Sequence, residues 1–194
     1  MIPRGDNMKS KLPERKQLRY KDFDYSNPGY YFITICSDDK EEIFGRIEKG
    51  KMILSEYGRI VNKCWNLIPE HFANVELDQF QIMPDHLHGI IIINPHSNTD
   101  VGDAYNASRC NNRDAKFASP TDRTKMLLSI IIQQFKRQVT IETRSFYNKK
   151  IFQRSFYDRI IRNEKELYNI RKYIIENPLR WEFEKVAPEN LEML

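Results

Sequence analysis

Two histidines separated by a single residue are the feature of this sequence best suited to hold a metal ion. His86 and His88 open the apolar run 87–93, whose composition predicts a central β-strand. Because side chains alternate along a strand, both imidazoles leave the same face and can share one ion. Imidazole suits transition metals, and it tolerates a harder ion when oxygen ligands or a substrate phosphate complete the shell. Exposed or hydrogen-bonded histidines are the alternative from the spacing alone, because His-x-His is a short motif.

A tyrosine and an asparagine four residues apart are candidates to act with such an ion. Tyr173 lies on a helix that its apolar stripe predicts over 164–176, and Asn177 follows this helix directly before Pro178. A phenol is a weak nucleophile because its pKa is about 10, but a cation that polarises a phosphate makes its attack feasible. The Asn177 amide oxygen is then a candidate third ligand. The structural alternative is a half-buried helix aromatic followed by an ordinary helix stop, with Asn177 leaving helical geometry before the proline.

Basic residues predict nucleic-acid contacts in two places. One stretch combines arginines with Phe152, Phe156 and Tyr157, a mixture suited to phosphate contacts and base stacking. A second basic pair lies on a helix predicted over 124–142. Surface arginines are commonly just solvated or paired within a helix, which is the alternative for each of them. The predicted DNA-contacting residues are Arg154, Arg159, Arg162, Lys136 and Arg137, with Lys165 beside them.

The elements that must position these residues alternate between strands and helices. Ser55 is the predicted cap of a helix that ends at Pro69, and Pro84-Asp85 is the predicted turn before the histidines. Asp85 can also orient an imidazole from that turn. Strands are predicted at 30–36, 75–83 and 87–93, a hairpin at 43–47 and 52–54, and a short edge strand at 151–156. The order predicts an α+β fold, a ferredoxin-like sandwich with helices on one face of an antiparallel sheet.

Length and composition predict one domain over residues 1–194. Lysine and arginine exceed aspartate and glutamate by 31 to 27, which permits a polyanionic partner, and a basic arm occupies residues 1–21. Segment 94–122 is polar and aperiodic, so a mobile inserted loop is expected there. Three scattered cysteines favour a reducing compartment, and neither a membrane-spanning run nor a signal peptide is recognised. We therefore expect a cytoplasmic protein without membrane contact.

Three blocks of sequence, in order, resemble the REP-associated branch of the single-tyrosine HUH transposases, the family of insertion-sequence-200-like elements. The resemblance covers about residues 19–181 apart from 94–122, and the ordered set is far more specific than His-x-His alone. A similar opening strand lies at 30–36. The blocks are Met83-Pro84-Asp85-His86-Leu87-His88-Gly89, Phe156-Tyr157-Asp158-Arg159-Ile160-Ile161-Arg162-Asn163-Glu164 and Tyr173-Ile174-Ile175-Glu176-Asn177-Pro178.

This resemblance implies roles for four residues. His86 and His88 match the paired metal-binding histidines, Tyr173 matches the catalytic tyrosine and Asn177 matches the amide ligand. The implied cofactor is Mg²⁺ or Mn²⁺. The implied reaction cleaves single-stranded DNA beside a hairpin-forming palindromic repeat and leaves a 5′-phosphotyrosine and a free 3′-hydroxyl. The resemblance favours a monomer over a homodimer in which the two chains exchange their tyrosine helices.

Two other functions fit the residues without the resemblance. A non-catalytic module would bind single-stranded nucleic acid through aromatics on an open sheet, in a salt-sensitive and metal-independent way. A metal hydrolase would act through activated water, and its turnover would persist when Tyr173 is removed. Tyr157 and Tyr168 also compete with Tyr173 on chemistry alone.

Overall fold

The computed structural model describes residues 27–95, 127–146 and 149–186, so the basic arm 1–21 and the predicted insertion from residue 96 onward lie outside the described residues. The strands are β1 (Gly29–Cys36), β2 (Gly45–Glu48), β3 (Lys51–Leu54), β4 (Val75–Ile82), β5 (His86–Ile93) and β6 (Tyr157–Ile161). The helices are α1 (Glu56–Asn66), α2 (Ile68–His71), α3 (Leu127–Thr143) and α4 (Glu164–Val186). None of these described helices is long and apolar enough to cross a bilayer.

Four strands form one antiparallel sheet in the order β4-β5-β1-β6, and β2 and β3 form a separate hairpin. Helix α1 connects β3 to the edge strand β4, whereas α3 precedes the opposite edge strand β6. Leaving out the β2–β3 hairpin, this is the strand order of a ferredoxin-like sandwich, so the predicted α+β class is confirmed. The predicted pairing of the histidine strand with its predecessor is confirmed as well.

The main core fills the face of the sheet that α1 and α3 cover. Ser55 caps α1 as predicted, with its hydroxyl accepting the Gly58 N–H at 3.1 Å. The fully buried Trp65 of α1 stacks on Phe80 with ring centroids 4.6 Å apart. Trp65 also passes so close to β5 that a Cβ on Gly89 would lie 2.4 Å from the indole ring. Because Gly89 faces the main core, its neighbour His88 must face the other side of the sheet.

Helix α4 covers that other face, so the prediction of helices on one face only is wrong. Phe32 and Ile90, which alternate with residues of the main core, form a second buried cluster with Ile161 and with Ile174 of α4. The central strands β1 and β5 are apolar on both faces, and a second layer is needed to remove the second face from water.

Neither of the two prolines predicted to end a helix does so, although α1 does end close to the predicted boundary, at Asn66. Pro69 lies in the first turn of α2, where a missing N–H breaks no helical hydrogen bond. Pro178 lies inside α4, which continues to Val186. Burial explains why the helix continues past Pro178, since both Asn177 and Pro178 are buried and Glu182 is bound to the β2–β3 turn. These contacts compensate for the hydrogen bond lost at the proline.

The predicted edge strand at 151–156 is wrong in position. That segment makes only an isolated bridge between Phe152 and Ser37, whereas β6 follows it at Tyr157–Ile161. The apolar residues Ile151 and Phe152 are buried in the main core rather than in a ladder, so their burial and not their pairing produced the apolar pattern.

Candidate active site

His86 and His88 project from the start of β5 toward α4, as their spacing predicts. Their Nε2 atoms lie 3.0 Å apart, and their rings meet edge to face with centroids 4.6 Å apart. His88 is 5% exposed, whereas His86 is half-buried. Two ring nitrogens therefore converge on one point at the edge of the helix-covered face.

Oxygen atoms hold the opposite nitrogen of each ring. The His86 Nδ1 lies 2.5 Å from the Asp85 carboxylate, and the His88 Nδ1 lies 2.9 Å from the Thr34 hydroxyl. A carboxylate only accepts, so Nδ1 of His86 carries the hydrogen, and Nε2 is the ring nitrogen left to face a cation. The Thr34 hydroxyl can accept from Nδ1–H of His88 in the corresponding tautomer. Asp85 thus combines the predicted turn with an imidazole contact. Thr34 was not predicted, because its place opposite His88 follows only from the β1–β5 register.

Burial keeps the His88 imidazole neutral. Desolvation, followed by the neighbouring charge of His86, lowers the pKa of His88 from 6.5 to about 3, against an opposing contribution from Asp85. A neutral ring at physiological pH leaves a nitrogen lone pair for a cation, which a protonated ring lacks.

Tyr173 of α4 lies against this histidine. Its hydroxyl is 3.3 Å from the His88 Nε2, and the two rings meet with centroids 5.2 Å apart. Phe32 stacks on His88 at 5.4 Å and meets Tyr173 edge-on at 6.3 Å, so it packs against both side chains. Phe32 was not predicted as a site residue, because nothing in the local sequence distinguishes it from any other aromatic residue of a strand. Tyr173 keeps 38% of its surface exposed, which leaves it accessible to a substrate.

Asn177 and Trp181 follow Tyr173 at successive turns of α4. The Trp181 ring lies 5.7 Å from His86, as the Tyr173 ring lies beside His88, so the histidine pair faces this side of the helix. Asn177 is between them in sequence, is 8% exposed and has a buried Nδ2 without a hydrogen-bond partner among the described residues. Rotating the amide by half a turn would exchange its nitrogen for its oxygen. A proline that interrupted α4 would have removed this alignment.

The donor set fits a divalent cation with open coordination positions. The two histidine Nε2 atoms lie 3.0 Å apart, close enough for both to contact one ion. Within the described ranges, no group of three or more His, Cys, Asp or Glu side chains forms a metal cluster. Among the described residues this site therefore offers two imidazoles and the Asn177 amide, and water or a phosphate can supply further ligands.

Two contacts fix α4 over the sheet on either side of Tyr173. The Arg171 guanidinium makes a forked ion pair with Asp78, with Nη2 to Oδ2 at 2.6 Å and Nε to Oδ2 at 2.9 Å, at an irregularity in the β4–β5 ladder. Near the other end, Glu182 accepts the backbone N–H groups of Lys49 and Gly50 at 3.0 and 2.6 Å. Tyr173 is thereby held by the sheet and by the β2–β3 hairpin.

The five predicted DNA-contacting residues do not form one patch. Lys136 is partly buried on the main-core side, where its ammonium donates to the carbonyls of Gln153 and Ser155 at 2.8 and 3.0 Å. Arg137 and Arg154 are exposed. Arg159 and Arg162 instead line a groove between β6 and α4, with Arg159 paired to Glu166 at 2.6 Å.

Comparison with known proteins gives two sequence relatives and a shared fold, although no protein-family model matches the chain. An uncharacterised protein of Haemophilus influenzae is 38% identical over 176 residues, which make up 88% of this chain and 92% of the relative. A second protein of that organism, named putative REP-associated tyrosine transposase, is 24% identical over 86% of this chain and 79% of its own length. A solved REP-associated tyrosine transposase, bound to a REP hairpin, shares the fold with a TM-score of 0.55 and 16% identity, over 84% of this chain and 73% of the other.

Proposed function

Because this chain belongs to one family with the 38% identical Haemophilus influenzae protein and is related to the REP-associated tyrosine transposases, we propose that it is a transposase of that type. The proposed reaction is the metal-dependent nicking and joining of single-stranded DNA beside hairpin-forming repeats. One observation carries this proposal: the Tyr173 hydroxyl lies 3.3 Å from the Nε2 of His88, which itself lies 3.0 Å from the Nε2 of His86. A nucleophile candidate and a pair of metal-ligand candidates thus meet at one point.

In the proposed reaction the Tyr173 oxygen attacks the phosphorus of a phosphodiester. A bond from the phenolic oxygen to phosphorus forms, the bond from phosphorus to the 3′ oxygen breaks, and the 5′ end stays on the protein as a phosphotyrosine. The phenolic proton leaves to water and the departing 3′ oxygen takes one from water, so atoms and charge balance. One phosphodiester replaces another, and attack by a free 3′-hydroxyl reverses the step and joins strands.

The residues around the tyrosine have separate tasks in this proposal. His86 and His88 would hold Mg²⁺ or Mn²⁺ through their Nε2 atoms, with Asn177 as the third protein ligand. When bound, the cation supplies the charge that makes a phosphate susceptible to a weak phenolic nucleophile. Asp85 and Thr34 keep the ring nitrogens oriented toward it, and Phe32 packs against both the His88 and Tyr173 rings.

The proposed partner is single-stranded DNA that carries a palindromic-repeat hairpin, the kind of ligand present in the solved transposase with the shared fold. Tyr173 contacts His88 within one chain, so a single copy can assemble the site, and the proposed enzyme is a monomer. The non-catalytic module is less well supported, since it needs an open sheet face and α4 covers part of that face.

Incubation with hairpin oligonucleotides tests the proposal. Oligonucleotides drawn from repeats flanking the gene, with Mn²⁺ added, should give a covalent complex that survives a denaturing gel. Tyr173→Phe and His86→Ala should each abolish it, whereas Tyr168→Phe, at a tyrosine 67% exposed elsewhere on α4, should not. Cleavage without an adduct would favour activated water, and salt-sensitive binding without cleavage would favour the module.

A further inference from the structure

A groove of about 800 Å³ lies beside the histidine site, between β6 and the first turns of α4. Its lining combines one exposed aromatic ring with basic and amide side chains. Tyr157 is 40% exposed, which leaves ring surface available to a planar ligand. The side chains that matter here are Tyr157, Arg159, Arg162, Lys165 and Asn169.

The groove opens on the same face of the sheet as the histidines. Thr34 pairs with His88 on one side and with Tyr157 on the other, so the three residues form one row across β5, β1 and β6. Directly opposite residues in neighbouring strands point to the same face, and two strand spacings amount to about 10 Å. Tyr157 is therefore a near neighbour of the candidate active site along the sheet.

The basic end of the groove is held in place by a helix cap. The Asn163 side chain accepts the Glu166 N–H at 2.9 Å, while the Glu166 carboxylate accepts the Arg162 N–H at 3.0 Å and pairs with Arg159. The Glu166 carboxylate, which lines the groove, is thus already paired with the Arg159 guanidinium. Lys165 and Arg162 extend from this fixed turn as exposed positive side chains.

The other aromatics predicted to stack bases are on the opposite side. Phe152 is 5% exposed and Phe156 packs against the main core, with the Lys136 ammonium within 6 Å of both rings. Tyr157 is thus the member of that predicted group that combines an exposed ring with the histidine face.

We propose that this groove binds the unpaired strand next to the phosphate that Tyr173 attacks, with one base on the Tyr157 ring and the backbone phosphates that follow it near Lys165 and Arg162. Stacking on an aromatic ring is tolerant of base identity, and a nearby pair of cations follows the backbone. The groove then guides the single strand toward the histidines. This inference rests on the proposed function.

Binding of a fluorescent hairpin oligonucleotide with single-stranded flanks, measured by anisotropy on the full chain, gives the first test. Tyr157→Leu should raise Kd at least about fivefold. Lys165→Ala should lower the slope of log K against log salt by about 0.7. Tyr168→Leu and Lys172→Ala, at exposed positions of α4 outside the groove, serve as matched controls. Equal effects of groove and control variants would overturn the proposal.

Photocrosslinking separates failure of the groove from failure of the enzyme. An oligonucleotide with 5-iodouracil beside the scissile position should crosslink to Tyr157, mapped by peptide mass spectrometry. A crosslink to Tyr157 without any Tyr173 adduct would support nucleotide binding in the groove and contradict the proposed cleavage by Tyr173. A normal Tyr173 adduct, with crosslinks only outside the groove and an unchanged Kd for Tyr157→Leu, would refute the groove and keep the nuclease.

Discussion

At the scale of single residues, the site depends on which nitrogen of each histidine faces the protein. Asp85 and Thr34 occupy the two Nδ1 atoms, at 2.5 and 2.9 Å, and turn the two Nε2 atoms toward each other. Such partners commonly decide metal affinity although they never touch the ion. Asp85 is the stronger of the two, because a carboxylate can only accept and so determines the tautomer of His86.

Asp85→Asn should therefore weaken metal binding while the chain stays folded. We expect the Kd for Mn²⁺, measured by titration calorimetry, to rise about 10- to 100-fold. Glu70→Gln is the matched control, since Glu70 is exposed and lies on α2, which packs on the main-core side of the sheet. An unchanged Kd in Asp85→Asn would show that Asp85 serves only the turn.

Burial of the Lys136 ammonium should make the free energy of unfolding depend on pH. Burial lowers the pKa of Lys136 from 10.5 to about 8, although Cys36 opposes this and Lys150 adds to it. The folded chain then loses this proton near pH 8 and the unfolded chain near 10.5, so the buried charge costs stability below pH 8 and the cost fades as pH rises. The free energy of unfolding of the natural chain minus that of Lys136→Met should increase by about 2 kcal/mol from pH 7 to pH 10 in urea titrations. A constant difference would contradict this.

At the scale of elements, α4 decides whether the tyrosine meets the histidines. The sequence predicts the strand pair, the Ser55 cap and the start of α4, because each has a local signal in periodicity or capping. It does not predict the continuation through Pro178, since the compensating contact joins Glu182 to a hairpin more than a hundred residues earlier. For the same reason the sequence does not predict that Thr34, Phe32 and Trp181 belong to the site. Their contacts with the histidines form only when β1, β5 and α4 pack together.

Breaking the anchor between α4 and β4 should slow the chemistry without removing the metal ligands. Arg171→Ala should reduce the rate of Tyr173 adduct formation severalfold, at a stability cost of about 1 kcal/mol for a partly exposed pair, with the Kd for Mn²⁺ unchanged. The exchange Asp78→Arg with Arg171→Asp should restore part of the rate. Lys172→Ala, whose contact with Glu176 is 3.8 Å and exposed, is the control. A rate equal to that of the natural chain would show that the ion pair does not position Tyr173.

At the scale of the whole molecule, the two faces of the sheet carry different groups of residues. One face carries the main core with α1 and α3, and the other carries the histidines, Tyr173 and the groove beside β6. Because Tyr173 contacts His88 of its own chain, one copy contains the whole proposed constellation.

A mixing experiment tests this self-sufficiency. Tyr173→Phe and His86→Ala chains, each inactive alone, should stay inactive when combined with a hairpin substrate and Mn²⁺. Recovery of adduct in the mixture would mean that one chain supplies its tyrosine to the histidines of another, and α4 would then be exchanged between copies.

The most direct test of the central claim is to locate the bond between protein and DNA. The chain is incubated with a hairpin oligonucleotide and Mn²⁺, digested with protease and nuclease, and analysed by tandem mass spectrometry. We predict a nucleotide joined through its 5′-phosphate to Tyr173, absent when the metal is chelated. A nucleotide on Tyr157 or Tyr168, or cleaved DNA with no modified peptide, would contradict the account.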